Sequence, residues 1–478
     1  MVPPKGRYLH VVAMPSPGWH RLQAAIDGRV IPDPEPTTFN ARFHDVRPRA
    51  AVWCTSPADV AATLSFLRRH DVPFAVRSGG HCFAGSSSSA GVVLDVTPMG
   101  LVASDGDLVT VGAGARLGAV NDLLELDGRA LPAGTCPTVG IAGLALGGGL
   151  GVLGRRYGLT SDRMVSAQLV LADGSVVTCD ERREADLFWS LRGAGAAGFG
   201  VVTSFIFRTV PAPPAVNFHL AWDWDQAVDV VEAWQGWAPS GPDELAASLK
   251  LIASGDPAQQ PTVNVYGVIQ VGDTDGDVID DLRHRVGVDP AWRWVELLPF
   301  AGTRQLWAQL PPSGTAFHDL GTPAEAHPWM ATRSEFFRSS LPTGTVAAVL
   351  EGLTGDRAPG EERELDFMPW GGAYNRVAAD TTAFVHRDEL FQLKHSATVH
   401  PDAPAQAKDA ALAFVRRSWE TVHPWGSGGV FPAFPDRDLD EPAEAYYGSN
   451  LPRLRTIKAR YDPANVFQPP SGQAIPPD

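Results

Sequence analysis

RAAVWCTSPADVAATLSFLRRHDVPFAVRSGGH, residues 49–81, spells a strand, a helix, a second strand and a loop closing on two glycines and a histidine. Residues 51–54 form the first short apolar strand. Ser56 precedes a helix over residues 58–70, where its hydroxyl can accept from a free first-turn amide, and Val60, Leu64 and Leu67 recur on one face. Residues 72–76 are the second strand, followed by Arg77, Ser78, Gly79, Gly80 and His81. This order of elements brings backbone amides to a point where a phosphate can be held.

Further along, GTCPTVGIAGLALGGGLG fills residues 134–151. Its glycines, including Gly140, Gly143, Gly147, Gly148, Gly149 and Gly151, argue against a regular helix. They argue for close approach to another backbone or to a large flat ligand. Residues 91–95 and 108–112 between the two loops read as strands, and 115–126 as a helix. Residues 164–171 and 175–178 form a hairpin turning at Asp173 and Gly174. A short helix over 186–193 leads through Gly198 and Gly200 to a strand over 201–209. The prolines Pro211, Pro213 and Pro214 mark the clearest boundary. From about residue 215 to 423 the texture changes to amphipathic helices and strands such as 262–271, with ten of the fourteen tryptophans. The expected organisation is a first domain over 1–212, a second over 213–423, and a segment over 424–478 that returns to the first.

The whole-chain properties narrow the function. At 478 residues and 51.0 kDa the chain is too long for one ordinary core. A formal net charge of −15 opposes nucleic-acid binding, and no apolar run is long enough for a membrane span. The opening residues lack the charged and apolar regions of an export signal, so a cytoplasmic location is the default expectation. Cys54, Cys82, Cys136 and Cys179 make no CxxC pair, and no metal site is expected.

RSGGH at 77–81, GTCPTVG at 134–140 and the tail YYGSNLPRLRTIKARYDPANVF at 446–467 resemble the berberine bridge enzyme-like family. These are FAD-linked oxidases with the vanillyl-alcohol oxidase, or PCMH-type, fold. The resemblance runs from about residue 45 to 475. It implies an α+β protein: a two-subdomain FAD-binding domain beside an α+β substrate domain with an antiparallel sheet. It further implies FAD bound covalently twice, through His81 to the 8α-methyl carbon and through Cys136 to C6. An electron-poor isoalloxazine edge suits attack by a neutral imidazole and a thiolate. Cys82, next to His81, is expected to point away on an extended strand and to be structural.

Arg77, Ser78, Gly79 and Gly80 are then expected to cradle the pyrophosphate. The 140–151 glycines and the Gly200–Val201 step are expected to contact the flavin or its ribityl and adenine parts. Val139 resembles the small gatekeeper of relatives that use O2, and implies dioxygen as acceptor with hydrogen peroxide as product. Leu144 departs from the family, which often has a histidine there. Tyr447 and Asn450 are expected against the cofactor, while Arg453, Lys458 and Asp462 read as helix-surface and turn residues.

The general base is the weak point of the resemblance. Where many relatives carry tyrosine and asparagine before the C-terminal motif, this chain has Phe431 and Ala433. A phenyl ring takes no proton. Tyr374 is the substitute expected, on a strand over 372–376 where Arg376 shares its face and favours the phenolate. Asp366 lies on the same segment, His386, Arg387 and His395 on a neighbouring strand, and His395 and Tyr446 are reserves. The partner is a small molecule, expected to be a ring-bearing natural product. A carbohydrate oxidised to a lactone is the alternative, and a flavin-bearing cyclisation template or binding protein that does no redox chemistry is the reading from another class.

Overall fold

Runs of apolar and β-branched residues, punctuated by glycine and proline, build three larger sheets and one two-stranded ladder among the described residues of the structure, a computed structural model that describes residues 18–270, 275–309, 327–469 and 472–475. The opening residues 1–17 and Val271 lie outside the described residues. β1 (Arg29–Pro32), β2 (Ala50–Trp53), β3 (Phe74–Arg77) and β4 (Val92–Asp95) form the first sheet, in the order β1-β2-β4-β3. β2 and β3 run parallel to β4, with the helix Pro57–Arg69 as the crossover and Ser56 accepting from the Asp59 amide as its cap.

β5 (Val102–Asp105), β6 (Leu108–Gly112), β8 (Met164–Val170), β9 (Val176–Asp180) and β10 (Val201–Arg208) make an antiparallel sheet ordered β5-β6-β10-β8-β9. β7 (Arg129–Ala130) pairs with β11 (Val210–Pro211) alone. One core beneath these sheets includes Val52, Leu64, Leu94, Val111, Phe188 and Phe205. It also takes in Tyr446, Leu454 and Phe467 from the end of the chain.

The third sheet has seven antiparallel strands drawn from residues 215–399. They are β12 (Ala215–Trp222), β13 (Leu245–Ser254), β14 (Thr262–Gln270), β15 (Trp292–Leu298), β16 (Trp329–Phe337), β17 (Glu361–Pro369) and β18 (Phe391–Val399). Their order is β15-β12-β14-β13-β17-β18-β16. Alternation gives this sheet two unlike faces. Leu249, Leu251, Phe367, Leu393 and Ala397 pack against the helices Ala227–Trp237, Thr343–Thr354 and Ala405–Val422. Ser248, Lys250, Asp366 and Lys394 point the other way and line a cavity.

Four readings of the sequence are corrected here. The glycine-rich stretch does contain a helix, Ile141–Leu146, whose apolar residues Ile141, Ala142 and Ala145 are buried. Residues 373–376 are a helical turn, because β17 stops at Pro369 and Gly371 and Gly372 then take positive φ of 86° and 57°. His386 and Arg387 precede β18 and are not on it. Lys458 and Asp462 are fully buried partners at 2.7 Å, not surface residues. The Lys458 ammonium also donates to the carbonyls of Gly198 and Phe467, so the pair fastens the C-terminal helix to the first core. Arg453 does lie on the surface, paired with Asp186.

Candidate active site

A mainly apolar-walled cavity of about 560 Å³ lies between the two glycine loops and the polar face of the seven-stranded sheet. His81 and Cys136 both stand in its wall. Between them Thr138 Oγ1 lies 3.0 Å from His81 Nε2 and 3.4 Å from Cys136 Sγ, so a single hydroxyl spans two side chains far apart in sequence. Phe39 stacks on the imidazole at 4.7 Å and 17°, and its amide donates to the Gly80 carbonyl. Burial, with lesser contributions from Arg116 and His327, pushes the His81 pKa down to about 4. The imidazole is therefore neutral at pH 7, and Nδ1 has no hydrogen-bond partner among the described residues. Sequence reading missed Phe39, whose only signal is a phenylalanine in a turn-like segment.

The glycines divide by what they face. Gly79 and Gly140 touch backbone to backbone: a Cβ on either would come within 2.2 Å of the other's nitrogen. This contact brings the RSGGH and GTCPTVG loops together. Gly147 abuts Ala433, Gly148 abuts Phe384, Gly149 abuts Thr160 and Gly151 abuts the Ala133 carbonyl. Gly143 is different, because a Cβ there meets nothing within 4 Å and the residue lines the cavity. Ser78, Gly79, Gly80, Val139, Gly140, Gly149, Gly151, Gly200 and Val201 also contribute to the wall, as does Leu144.

Arg77 does not reach that wall. Its buried guanidinium donates to the Ser87 carbonyl and the Thr37 hydroxyl beside Asp95, so it braces the loop instead of reaching for a pyrophosphate. Gly147, Gly148, Tyr447 and Asn450 are likewise outside the lining. The Tyr447 hydroxyl donates to the Gln473 carbonyl, and Asn450 donates to the carbonyls of Ala379 and Thr382. Cys82 is not on a strand and does line the cavity. Cys54 and Cys179 are the inert cysteines, with burial pushing each thiol up to about 12.

The tyrosine expected as base does line the cavity, but its hydroxyl is engaged there. Tyr374 is buried against Trp370, with ring centroids 4.4 Å apart, and its hydroxyl donates to the Gly151 carbonyl at 3.3 Å. Burial raises its pKa above that of an ordinary phenol despite Arg155 nearby. Arg376 gives it no help, being 58% exposed in its side chain and paired with Asp243. Tyr446 is also occupied, its hydroxyl exchanging hydrogen bonds with the Asp436 backbone. His395 faces the helices, bonded through Nδ1 to Ser418, and burial lowers its pKa to about 3. None of the three presents a free base to the cavity.

Cross-strand register supplies what these residues do not. Lys250 on β13 lies opposite Asp366 on β17, and Asp366 lies opposite Lys394 on β18. Lys250 Nζ is 3.3 Å from Glu364 and 3.5 Å from Asp366, while Lys394 Nζ is 3.4 Å and 3.3 Å from the same pair. Two ammonium groups thus balance two carboxylates in a buried site. Burial works against the Lys250 charge, but Asp366 and Glu364 outweigh it and hold its pKa above the ordinary lysine range. Asp366 Oδ1, on a residue 4% exposed, has no hydrogen-bond partner among the described residues. Sequence reading picked out Asp366 but missed both lysines and Glu364, since only strand register joins them.

Comparison with known proteins agrees with this geometry. Residues 48–180 match a family model described as an FAD binding domain, and residues 431–476 one described as berberine and berberine like. The chain is 32% identical over 453 residues to an uncharacterized FAD-linked oxidoreductase, YvdP, of Bacillus subtilis (strain 168), covering 91% of this chain and 94% of that one. It is 31% identical to a chitooligosaccharide oxidase of Gibberella zeae, covering 92% and 89%. The solved structure of Physcomitrella patens BBE-like 1 superimposes with a TM-score of 0.83 at 26% identity, covering 96% and 99%. The site fits the flavin these relatives imply. It has an open Gly143, an imidazole with one unengaged nitrogen, and a thiol in the same wall. Among the described residues no group of three or more histidine, cysteine or acidic side chains is placed to hold a metal, and no helix is long and apolar enough to cross a membrane.

Proposed function

Because this chain belongs to the berberine bridge enzyme-like family of FAD-linked oxidoreductases, we propose that it holds FAD through His81 and Cys136 and oxidises a ring-bearing alcohol or hemiacetal at the seven-stranded sheet. When bound, FAD supplies the two-electron sink that takes hydride from the substrate carbon and passes the pair to dioxygen, giving hydrogen peroxide. The observation that carries the reading is the pairing of walls. His81 and Cys136 meet at Thr138 on one side of a cavity whose sheet side offers Asp366.

The chain's own residues supply the rest. Gly143 and the Gly79–Gly140 contact leave room for a flat ring, and Val139 keeps the wall beside Cys136 small. Tyr266, Trp307 and Trp370 give the cavity aromatic surface against which a substrate ring can lie. Asp366 Oδ1 accepts the substrate hydroxyl, taking its proton as hydride leaves. Lys250 and Lys394 hold the Asp366 carboxylate from both sides and leave Oδ1 for the substrate. Phe431 and Ala433 form part of the wall without chemistry of their own.

An oligosaccharide substrate oxidised to a lactone is the second reading, supported by the likeness to a chitooligosaccharide oxidase. Anaerobic mixing with panels of ring-bearing alcohols and of oligosaccharides tests both. Bleaching of the flavin, then one peroxide per turnover on admitting air, is the expected result. A flavin that stays yellow while substrate is converted would assign the protein to a non-redox template instead.

A further inference from the structure

We propose that Thr138 is the positioning residue that completes both flavin tethers, by carrying the proton that each attachment residue must shed. This inference rests on the double attachment proposed above and adds what drives it. Thr138 is not among the residues lining the cavity; it stands behind His81 and Cys136, and those two are its only side-chain partners among the described residues. A hydroxyl donates one hydrogen bond and accepts others, so it can take a proton from one neighbour while giving its own to the other.

Each tether has the same balance. At His81 one imidazole N–H bond and one methyl C–H bond break and a C–N bond forms. At Cys136 the S–H bond and one ring C–H bond break and a C–S bond forms. In each case two electrons and two protons reduce one dioxygen to hydrogen peroxide. The nucleophile's share of those protons has to leave a buried site. With Nδ1 attacking, the proton to be shed is on Nε2, which faces Thr138 Oγ1 at 3.0 Å. Half-buried Thr138 takes it and releases its own hydroxyl proton to solvent, and that proton is counted among the two in hydrogen peroxide. Once the imidazole is tethered, its Nε2 lone pair faces the same hydroxyl, so Thr138 takes the thiol proton of Cys136 at 3.4 Å and gives its own to Nε2, from which solvent removes it. The thiolate that results is the competent nucleophile. The neutral state that burial gives His81 is the one this exchange requires.

Thr138→Val keeps the shape and removes the hydroxyl, and Thr138→Ser restores it. The full-length chains are purified, incubated in air with FAD, acid-denatured and digested, and flavin on the His81 and Cys136 peptides is followed against time and pH. The expected result is attachment roughly 10²-fold slower in Thr138→Val, with the flavin still bound but released by acid. Attachment in that variant should quicken from pH 7 to 9 as solvent hydroxide replaces the carrier, and Thr138→Ser should match the parent. Complete attachment in Thr138→Val at the parent rate, or a Thr138→Ser chain as slow as Thr138→Val, overturns the proposal. If Thr138→Val does not fold, the Thr138→Ser and Thr138→Ala chains decide it by the same comparison of rates. A parent chain whose flavin is released entirely by acid would instead refute the double attachment itself.

Discussion

The two walls of the cavity are made in different ways. On the loop side, RSGGH and GTCPTVG each place their functional group within a few residues of the glycines that position it, and Gly79 against Gly140 sets the loops in contact. On the sheet side, Lys250, Asp366 and Lys394 come from three strands, and only their register makes them neighbours. The loop wall is local in sequence and the chemistry proposed for it is attachment; the sheet wall is non-local and the chemistry proposed for it is turnover. A change in one wall should therefore leave the other's readout standing.

The largest expected effect breaks turnover alone. Asp366→Asn should lower the rate of anaerobic flavin reduction by about 10²–10⁴-fold, while the mass of the acid-denatured chain still shows bound flavin. Loss of flavin from that variant would show the walls to be one unit. Lys458→Met comes next, because it strands the Asp462 carboxylate in a fully buried site. A loss of about 3–5 kcal/mol in urea unfolding is expected, and it should loosen the loop wall through Gly198 and Phe467, both in the lining.

Acid should weaken both walls. His395 behind the sheet has its pKa lowered from 6.5 to about 3, and His81 in the flavin-free chain from 6.5 to about 4. The unfolded chain takes up protons below pH 6.5 that these groups refuse when folded. Their stabilisation is complete above that value and is lost as pH falls towards 4, at about 1.4 kcal/mol per pH unit for each histidine. Urea midpoints between pH 7 and 4 measure it, and His395→Leu should flatten the slope. The smallest effect is Tyr374→Phe, whose hydroxyl hydrogen-bonds only to the Gly151 backbone among the described residues. Flavin reduction within about tenfold of the parent is expected, in line with losing two long hydrogen bonds to one residue's backbone. A loss as large as that of Asp366→Asn would return the base to the tyrosine.

The same contrast explains what the sequence disclosed. The strand–helix–strand entry, the Ser56 cap and the β8–β9 hairpin were legible because each is set by neighbours in the chain. The placing of His81 and Cys136 in one cavity wall follows in the same way from contiguous motifs. The Gly371–Gly372 break was misread as strand because alternation around Tyr374 imitates one, although glycines at positive φ end it. Lys458 and Asp462 looked like surface charges because burial of an ion pair depends on the carbonyls of Gly198 and Phe467, which no local pattern announces. The lysines flanking Asp366 were invisible for the same reason, being more than a hundred residues apart.

One measurement bears most directly on the reading of the cavity: peptide mapping of the acid-denatured, protease-digested parent chain. A single FAD joining the His81 peptide to the Cys136 peptide is the predicted product. Recovery of both peptides unmodified, with all flavin in the acid-soluble fraction, would contradict it.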